Sequence, residues 1–296
     1  MTPAHLPEAG APGPVVQEAR SFLFVPGDRP ERFDKAVASG ADVVIIDLED
    51  AVAPEAKSSA RDAAVAWLAA GGRAAVRVNA ADHPEHQADV AALAGISSGT
   101  PDSGLLTVVL PKADDPAIAS GVAAQASVPV IALVESALGI VRAHELASAT
   151  GVSRLAFGHL DYAVDLGSGN GREAVLLARS TLVIASRAAG LPGPIDGVTT
   201  ALDDTEVLAD DLHYARDLGL TGKLLIHPKQ VEPTHAAHRP SDEEVAWAQR
   251  VIEAAAAGGA VRVDGDMVDA PVVARAEGII ARAGSAARPA QPVEDA

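Results

Sequence analysis

Along the chain, hydrophobic positions gather into short continuous runs rich in Val, Ile and Leu. Each run is followed by one or two polar residues and then by roughly 10 to 20 residues of amphipathic spacing, the grammar of βα units. The runs fall at 21–25, 42–46, 74–78, 105–110, 128–134, 154–157, a weak 194–195, and 223–226. Helical spacing fills 54–70, 114–124, 137–148, 171–189 and 203–218 between them. Apolar strands alternating with helices predict a parallel sheet covered on both faces. Eight such units predict a closed (β/α)8 TIM barrel of the α/β class.

Past Lys229 the pattern changes. Ser241-Asp-Glu-Glu244 reads as a capping box opening a helix to about Ala256, closed by Gly258-Gly259. A hairpin across Asp264-Gly265 and a last helix from Pro271 follow. The reading therefore divides the chain into a loose N-terminal tail over 1–19, carrying Pro3, Pro7, Pro12 and Pro14, and a barrel over 20–238. A helical and hairpin extension over 239–283 is expected to pack on a neighbouring subunit, and 284–296, rich in Ala, Pro and Ser, is a second loose tail.

Composition narrows the function classes. Hydrophobic residues are 48% against 21% charged, enough for a large core. Lys and Arg number 23 against 40 Asp and Glu, a net charge of −17, and aromatics are 3%, which excludes a nucleic-acid partner. The absence of cysteine removes disulfides, thiolate nucleophiles and zinc-thiolate sites, and fits a reducing, cytoplasmic compartment. No apolar run approaches the roughly 18 residues of a membrane span, so no membrane partner is expected. The first strand ends in Val25-Pro-Gly-Asp-Arg29 rather than a dinucleotide fingerprint, and Gly167-Ser-Gly-Asn-Gly171 reads as a loop.

In such barrels chemistry sits at the C-terminal ends of the strands. Asp47, Glu49 and Asp50 follow the second strand, Arg77 and Asn79 end the third, and Lys112 follows the fourth. Glu135, Asp161, Asp196 and His227 follow the last four in turn. Converging carboxylates repel by about 4 kcal/mol per pair at 4 Å and an effective dielectric near 20. Positive charge must therefore sit among them. Arg77 and Lys112 supply part, and Glu135 with Asp161, one βα unit apart, form a two-carboxylate site for a hard cation such as magnesium. The residues alone leave open a metal-free, salt-bridged mouth in which Glu135 caps the helix near Ala137 and Asp161 ends a loop, and also a Schiff base on Lys112. The pairs His83/His86 and His235/His238 read as surface histidines, His159 as lining the site, and His227 as shaping a loop.

These residues carry a resemblance. The stretches Arg20-Ser-Phe-Leu-Phe-Val-Pro-Gly27, Asp47-Leu-Glu-Asp-Ala-Val52 with Lys57 and Arg61, Val76-Arg-Val-Asn79 and Leu110-Pro-Lys112 come first. Glu135-Ser136, Phe157-Gly158 with Asp161 and Asp165-Leu-Gly167, Ile226-His-Pro-Lys-Gln230 and Met267-Val-Asp-Ala-Pro271 complete the set. In this order the chain resembles the citrate lyase β-subunit-like branch of the HpcH/HpaI aldolase superfamily, the CoA-ester lyases acting on malyl-CoA or citramalyl-CoA. The resemblance implies Mg2+ on Glu135 and Asp161, and Arg77 on the carboxylate of a small α-keto acid. Asp47 and Glu49 then belong to the catalytic mouth, with Glu135 and Lys112 also lining the substrate. Lys57 and Arg61, spaced i, i+4 and grouped with Arg29, Arg32 and Lys35, are either a seat for CoA phosphates or a salt-bridged helix face. The resemblance further implies a homo-oligomer, a trimer or a hexamer, in which Asp269 reaches a neighbour's barrel as general base or acid. It leaves open a malyl-CoA thioesterase, a lyase acting on a carrier-protein thioester, and a non-catalytic CoA-binding subunit. Two departures stand out. Gly158-His-Leu-Asp161-Tyr162 replaces the branch's usual Gly-x-x-Asp-Leu, and Glu49-Asp50 stand where CoA-independent pyruvate aldolases place a catalytic histidine.

Overall fold

A computed structural model describes residues 14–97, 104–256 and 261–286. Its first unit is a closed barrel of eight parallel strands in sequential order. They are β1 (Ser21–Pro26), β2 (Val43–Asp47), β3 (Ala74–Arg77), β4 (Leu105–Leu110), β5 (Val130–Val134), β6 (Val152–Phe157), β7 (Ile195–Asp196) and β8 (Gly222–Leu225), with β8 pairing back onto β1. The helices are α1 (Pro14–Glu18), α2 (Phe33–Ala38), α3 (Lys57–Ala69), α4 (His86–Ser97), α5 (Pro116–Ala126), α6 (Ala137–Val141) and α7 (Ala143–Ala147). They continue with α8 (His159–Leu166), α9 (Arg172–Ala188), α10 (Thr205–Leu218) and α11 (Val231–His238).

Strand alternation sorts the core into two layers. In β2, Val43 and Ile45 face inward with Phe22, Ala75, Val109, Ile131 and Leu224, while Val44 and Ile46 join the packing between sheet and helices. The run at 128–134 enters the ladder only at Val130, because Pro129 has no N–H to donate, although its carbonyl accepts from Val108 N at 3.0 Å. The helical stretch at 137–148 breaks at Arg142, whose guanidinium turns to the carbonyl of Asp114. Helices α2, α4, α8 and α11 have no counterpart among the stretches read from spacing.

The loose-tail reading of 1–19 fails for its last residues. Residues 14–18 form a helix, and Val16 and Ala19 are buried with the inward layer. The cause is Arg154 on β6, fully buried inside the barrel, which donates to the carbonyls of Val16 (3.1 Å), Ala19 (2.7 Å) and Gly193 (3.0 Å) and to Thr221 Oγ1 (2.9 Å). A buried guanidinium without hydrogen bonds would be very costly, so the N-terminal segment is held to it. Residues 1–13 and 287–296 lie outside the described residues.

The chain divides between Thr234 and His235, four residues before the boundary at 238 read from the sequence. The second unit holds α12 (Asp242–Ala256), a hairpin of β9 (Val261–Val263) and β10 (Asp266–Val268), and α13 (Ala270–Ala286), around Ala248, Val251, Ala276 and Ile279. The capping box forms in both directions, Ser241 N to Glu244 Oε2 at 2.9 Å and Glu244 N to Ser241 Oγ at 3.1 Å. Asp264 and Gly265 both take positive φ, as a two-residue hairpin turn requires. Residues 284–286, read as the start of a tail, continue α13 instead.

Candidate active site

Parallel register brings the ends of β2 and β3 level, Asp47 beside Arg77. The Arg77 fork closes on Asp47, with Nε to Oδ1 and Nη2 to Oδ2 both at 2.7 Å, and Asp47 also accepts from the N–H groups of Glu49 and Ala51. Arg77 lies over the Phe24 ring at 4.7 Å and turns Nη1 to Glu49 Oε2 at 3.0 Å. Neither buried oxygen of Glu49 has a well-aligned hydrogen bond, and Lys112 Nζ stands 3.4 Å from Oε1. Burial, only partly offset by Arg77, pushes the Glu49 carboxyl up to about 7.

Glu135 at the end of β5 is buried, and its Oε1 accepts the backbone N–H of Lys112 at 2.8 Å. Lys112 takes a left-handed backbone (φ 48°). Burial and the Glu49 charge, with a further push from Asp161, raise the Glu135 carboxyl to about 8. Gly158 lies against Glu135, where any Cβ would strike Oε2. It is also the N-cap of α8 and supplies no side-chain cap, so the first turn of that helix opens on the site with its own N–H groups. Glu135, Asp161, Arg77 and His159 line one cavity of about 70 Å³ floored by Phe24 and Leu224. A larger cavity of about 240 Å³ between Leu202 and Lys229 is lined by polar groups that include the exposed Lys229–Asp203 pair, and none of the residues read above as catalytic lines it.

The donor set fits a hard cation. Two carboxylates, Glu135 and Asp161, line the cavity, the buried Glu135 with a raised affinity for its proton, and no cluster of three or more His, Asp or Glu able to hold a metal exists among the described residues. Magnesium commonly takes one or two protein carboxylates and completes its shell from water and substrate oxygens. Ser136, not Glu135, caps α6, and Asp161 sits in the first turn of α8 rather than ending a loop. The raised carboxyls also set a pH dependence. In the metal-free protein Glu49 and Glu135 hold protons that the unfolded chain, near 4.5, has released, so their contribution is full below 4.5 and lost as pH passes about 7 and 8. Thermal melting in EDTA should therefore move down between pH 5 and about 8, and magnesium should restore most at the alkaline end. A melting temperature that climbs over that range in EDTA would contradict the assignment.

Comparison with known proteins decides the family. Residues 20–228 match the family described as HpcH/HpaI aldolase/citrate lyase, and 185–285 match a C–C bond lyase family of the TIM-barrel fold. A citrate lyase subunit beta-like protein of Mycobacterium tuberculosis is 39% identical over 273 residues, covering 90% of this chain and 96% of that protein. The chain belongs to the HpcH/HpaI aldolase/citrate lyase family. A (3S)-malyl-CoA thioesterase of Cereibacter sphaeroides is 35% identical over 275 residues, covering 89% of this chain and 94% of its own. The crystal structure of the CitE protein from Mycobacterium tuberculosis with magnesium, acetoacetate and coenzyme A superposes with a TM-score of 0.79 at 38% identity, covering 90% of this chain and 98% of that one.

Several residues read from the sequence of this HpcH/HpaI family member are placed differently from expectation. Lys57 is buried and donates to the carbonyls of Leu48 (2.9 Å) and Glu49 (3.0 Å), and Arg61 is bound to Glu85 (2.7 Å) and Asp89 (3.0 Å). Of the two readings left open for these residues, the engaged one is what the structure shows: both charges are taken up by acceptors within the fold. Lys57 instead anchors the loop that carries Glu49. Lys57→Met should lower stability by about 1–3 kcal/mol, the cost of leaving buried carbonyls unpaired. The Michaelis constant for a CoA ester should barely change, and steady-state kinetics beside a denaturation curve would separate the two effects. The Arg77 fork is engaged by Asp47, so a bidentate grip on a keto acid is not open to those nitrogens. Asp196 likewise leaves the mouth, held at 2.8 Å by both Lys223 and Arg179 inside the barrel. His86 is not a surface residue: it is buried, with Nδ1 2.8 Å from the Asn79 carbonyl. His227 accepts from Lys229 N and caps the turn after β8. Tyr162, in the departure from the usual motif, packs on Phe157 at 5.5 Å rather than lining the cavity. Asp269 caps α13 by accepting from Val272 N at 3.2 Å. Sequence reading missed Phe24 beneath Arg77 and Gly158 against Glu135. The paired Phe-Gly before His159 was the only local signal for the latter.

Proposed function

We propose that this chain is a magnesium-dependent CoA-ester lyase that cleaves the C–C bond of a malyl-CoA or citramalyl-CoA type thioester into an acyl-CoA and glyoxylate or pyruvate. The observation that carries the reading is the convergence of Glu135, Asp161 and Arg77 on one small cavity at the barrel mouth. Glu135 and Asp161 would hold the cation, which supplies Lewis-acid polarisation of the reacting oxygen. The keto-acid carboxylate lies at the open first turn of α8, beside Arg77, whose position is fixed by Asp47 and Glu49. A base removes the hydroxyl proton, the C–C bond breaks as the keto acid's carbonyl forms, and the released thioester enolate takes up a proton.

Asp269 of a neighbouring copy serves as that base or acid in this reading. An exposed apolar face supports a homo-oligomer: Val141 and Val164 are each 82% exposed, Leu177 76% and Ile184 68%, on the adjacent helices α6, α8 and α9. With Lys57 and Arg61 engaged, the exposed Arg29 and Arg32 remain for the CoA phosphates; among the described residues, the ion-pair contact of each is one of 3.9 Å to the acidic residue before it.

The test is a mass-spectrometric screen of the purified protein with magnesium against citramalyl-, malyl-, β-methylmalyl- and citryl-CoA. Acyl-CoA plus keto acid supports the lyase. Free CoA plus the intact hydroxy acid selects the second reading, a thioesterase, which the similarity to the Cereibacter protein favours.

A further inference from the structure

His159 begins α8, between Gly158 at Glu135 and Asp161, and lines the same cavity. Its ring lies across Gly197, where a Cβ would collide with Nδ1, and near Phe157 with ring centroids 6.2 Å apart. Nδ1 is buried there without a hydrogen-bond partner. An imidazole shut against carbon on one nitrogen keeps Nε2 as its one atom for a polar contact. A buried ring nitrogen without a partner costs stability and is expected only where something else compensates.

We propose that His159 is a substrate-contacting residue, whose Nε2–H donates to an oxygen of the keto-acid half. The inference rests on the lyase reading given above. That half of the substrate carries carboxylate and hydroxyl or carbonyl oxygens, which accept hydrogen bonds, so the ring enters as donor. Gly197 is then the residue that makes the ring's seat, since any side chain at 197 would lift the imidazole out of it.

The experiment measures pyruvate and glyoxylate binding to the magnesium-loaded protein by calorimetry, beside turnover of citramalyl- and malyl-CoA, for His159→Leu, His159→Gln and Gly197→Ala. His159→Leu should lower kcat/KM by about 10- to 100-fold and weaken keto-acid binding in parallel. His159→Gln keeps a donor and should recover part of the loss. Gly197→Ala, which keeps the imidazole but displaces it, should resemble the leucine variant. Magnesium affinity, titrated separately, should be unchanged in all three. A leucine variant that binds keto acid as tightly as the wild type overturns the proposal, as does a loss that follows magnesium affinity. If the wild type turns over none of the CoA esters, the lyase reading fails. The keto-acid affinities of the glutamine and alanine variants then decide the His159 contact by themselves.

Discussion

Glu135→Gln should abolish magnesium binding and lower turnover by about a thousandfold or more, since the substitution removes one of the two carboxylates proposed to hold the ion. Asp161→Asn should do the same from the other side of the cavity, and EDTA should reproduce both effects in the wild type. Folding should survive, because an uncharged amide at 135 can still accept the Lys112 N–H and no longer faces the charges of Glu49 and Asp161. Glu135→Gln should even stabilise the metal-free protein above about pH 8, where the wild-type carboxylate is ionised in a buried site. Isothermal titration with magnesium and melting curves at two pH values check these points. The competing chemistry is a Schiff base on Lys112. Burial would lower its pKa, but Glu49 and Asp50 override that and hold the ammonium charged, the opposite of what an amine nucleophile needs. Full activity in EDTA, with inactivation by borohydride and keto acid, would reinstate that rival.

Asp269→Asn protein and Glu135→Gln protein, each inactive alone, should recover activity when co-assembled. In the shared-site reading a barrel from one chain is completed by Asp269 from the next. Random equal mixing then gives about a quarter of the sites both intact residues. Asp269 is positioned by a local device, the N-cap of α13, and follows directly on the strand that bears Met267, 70% exposed. An aspartate there suits proton transfer only once a closed site places it beside the reacting hydroxyl. The measurement is activity of mixed oligomers, verified by mass after tagging one parent. Absence of complementation in verified mixed oligomers would remove Asp269 from the site and leave it as a helix cap. Sedimentation should accompany it, because a fully active monomer excludes sharing altogether.

The barrel was legible because each of its causes is local. A parallel strand buried on both faces demands a continuous aliphatic run, and eight such runs alternating with helices leave little freedom of architecture. Polar residues directly after the runs fall at one end of the barrel by construction, so Asp47, Arg77, Lys112, Glu135 and Asp161 could be gathered before any coordinates. The capping box at Ser241 and the Asp264-Gly265 turn were equally readable, since each is satisfied within four residues.

Tertiary structure alone decided how those charges are engaged. The sequence placed Arg77 among the mouth carboxylates, and register with β2 is what gives its fork to Asp47. Lys57 and Arg61 could be read as a phosphate seat or as a salt-bridged face, and only the fold shows their charges engaged by acceptors within it. The ordering of residues 14–19 depends on Arg154, a partner 135 residues away from Ala19, and a separation of that size leaves no periodicity to read. The approach of Gly158 to Glu135 and of Gly197 to His159 is of the same kind. Each is a requirement for space, set by a side chain distant in sequence, and the physical reason it stays hidden is that an empty Cβ position has meaning only once its neighbour is in place.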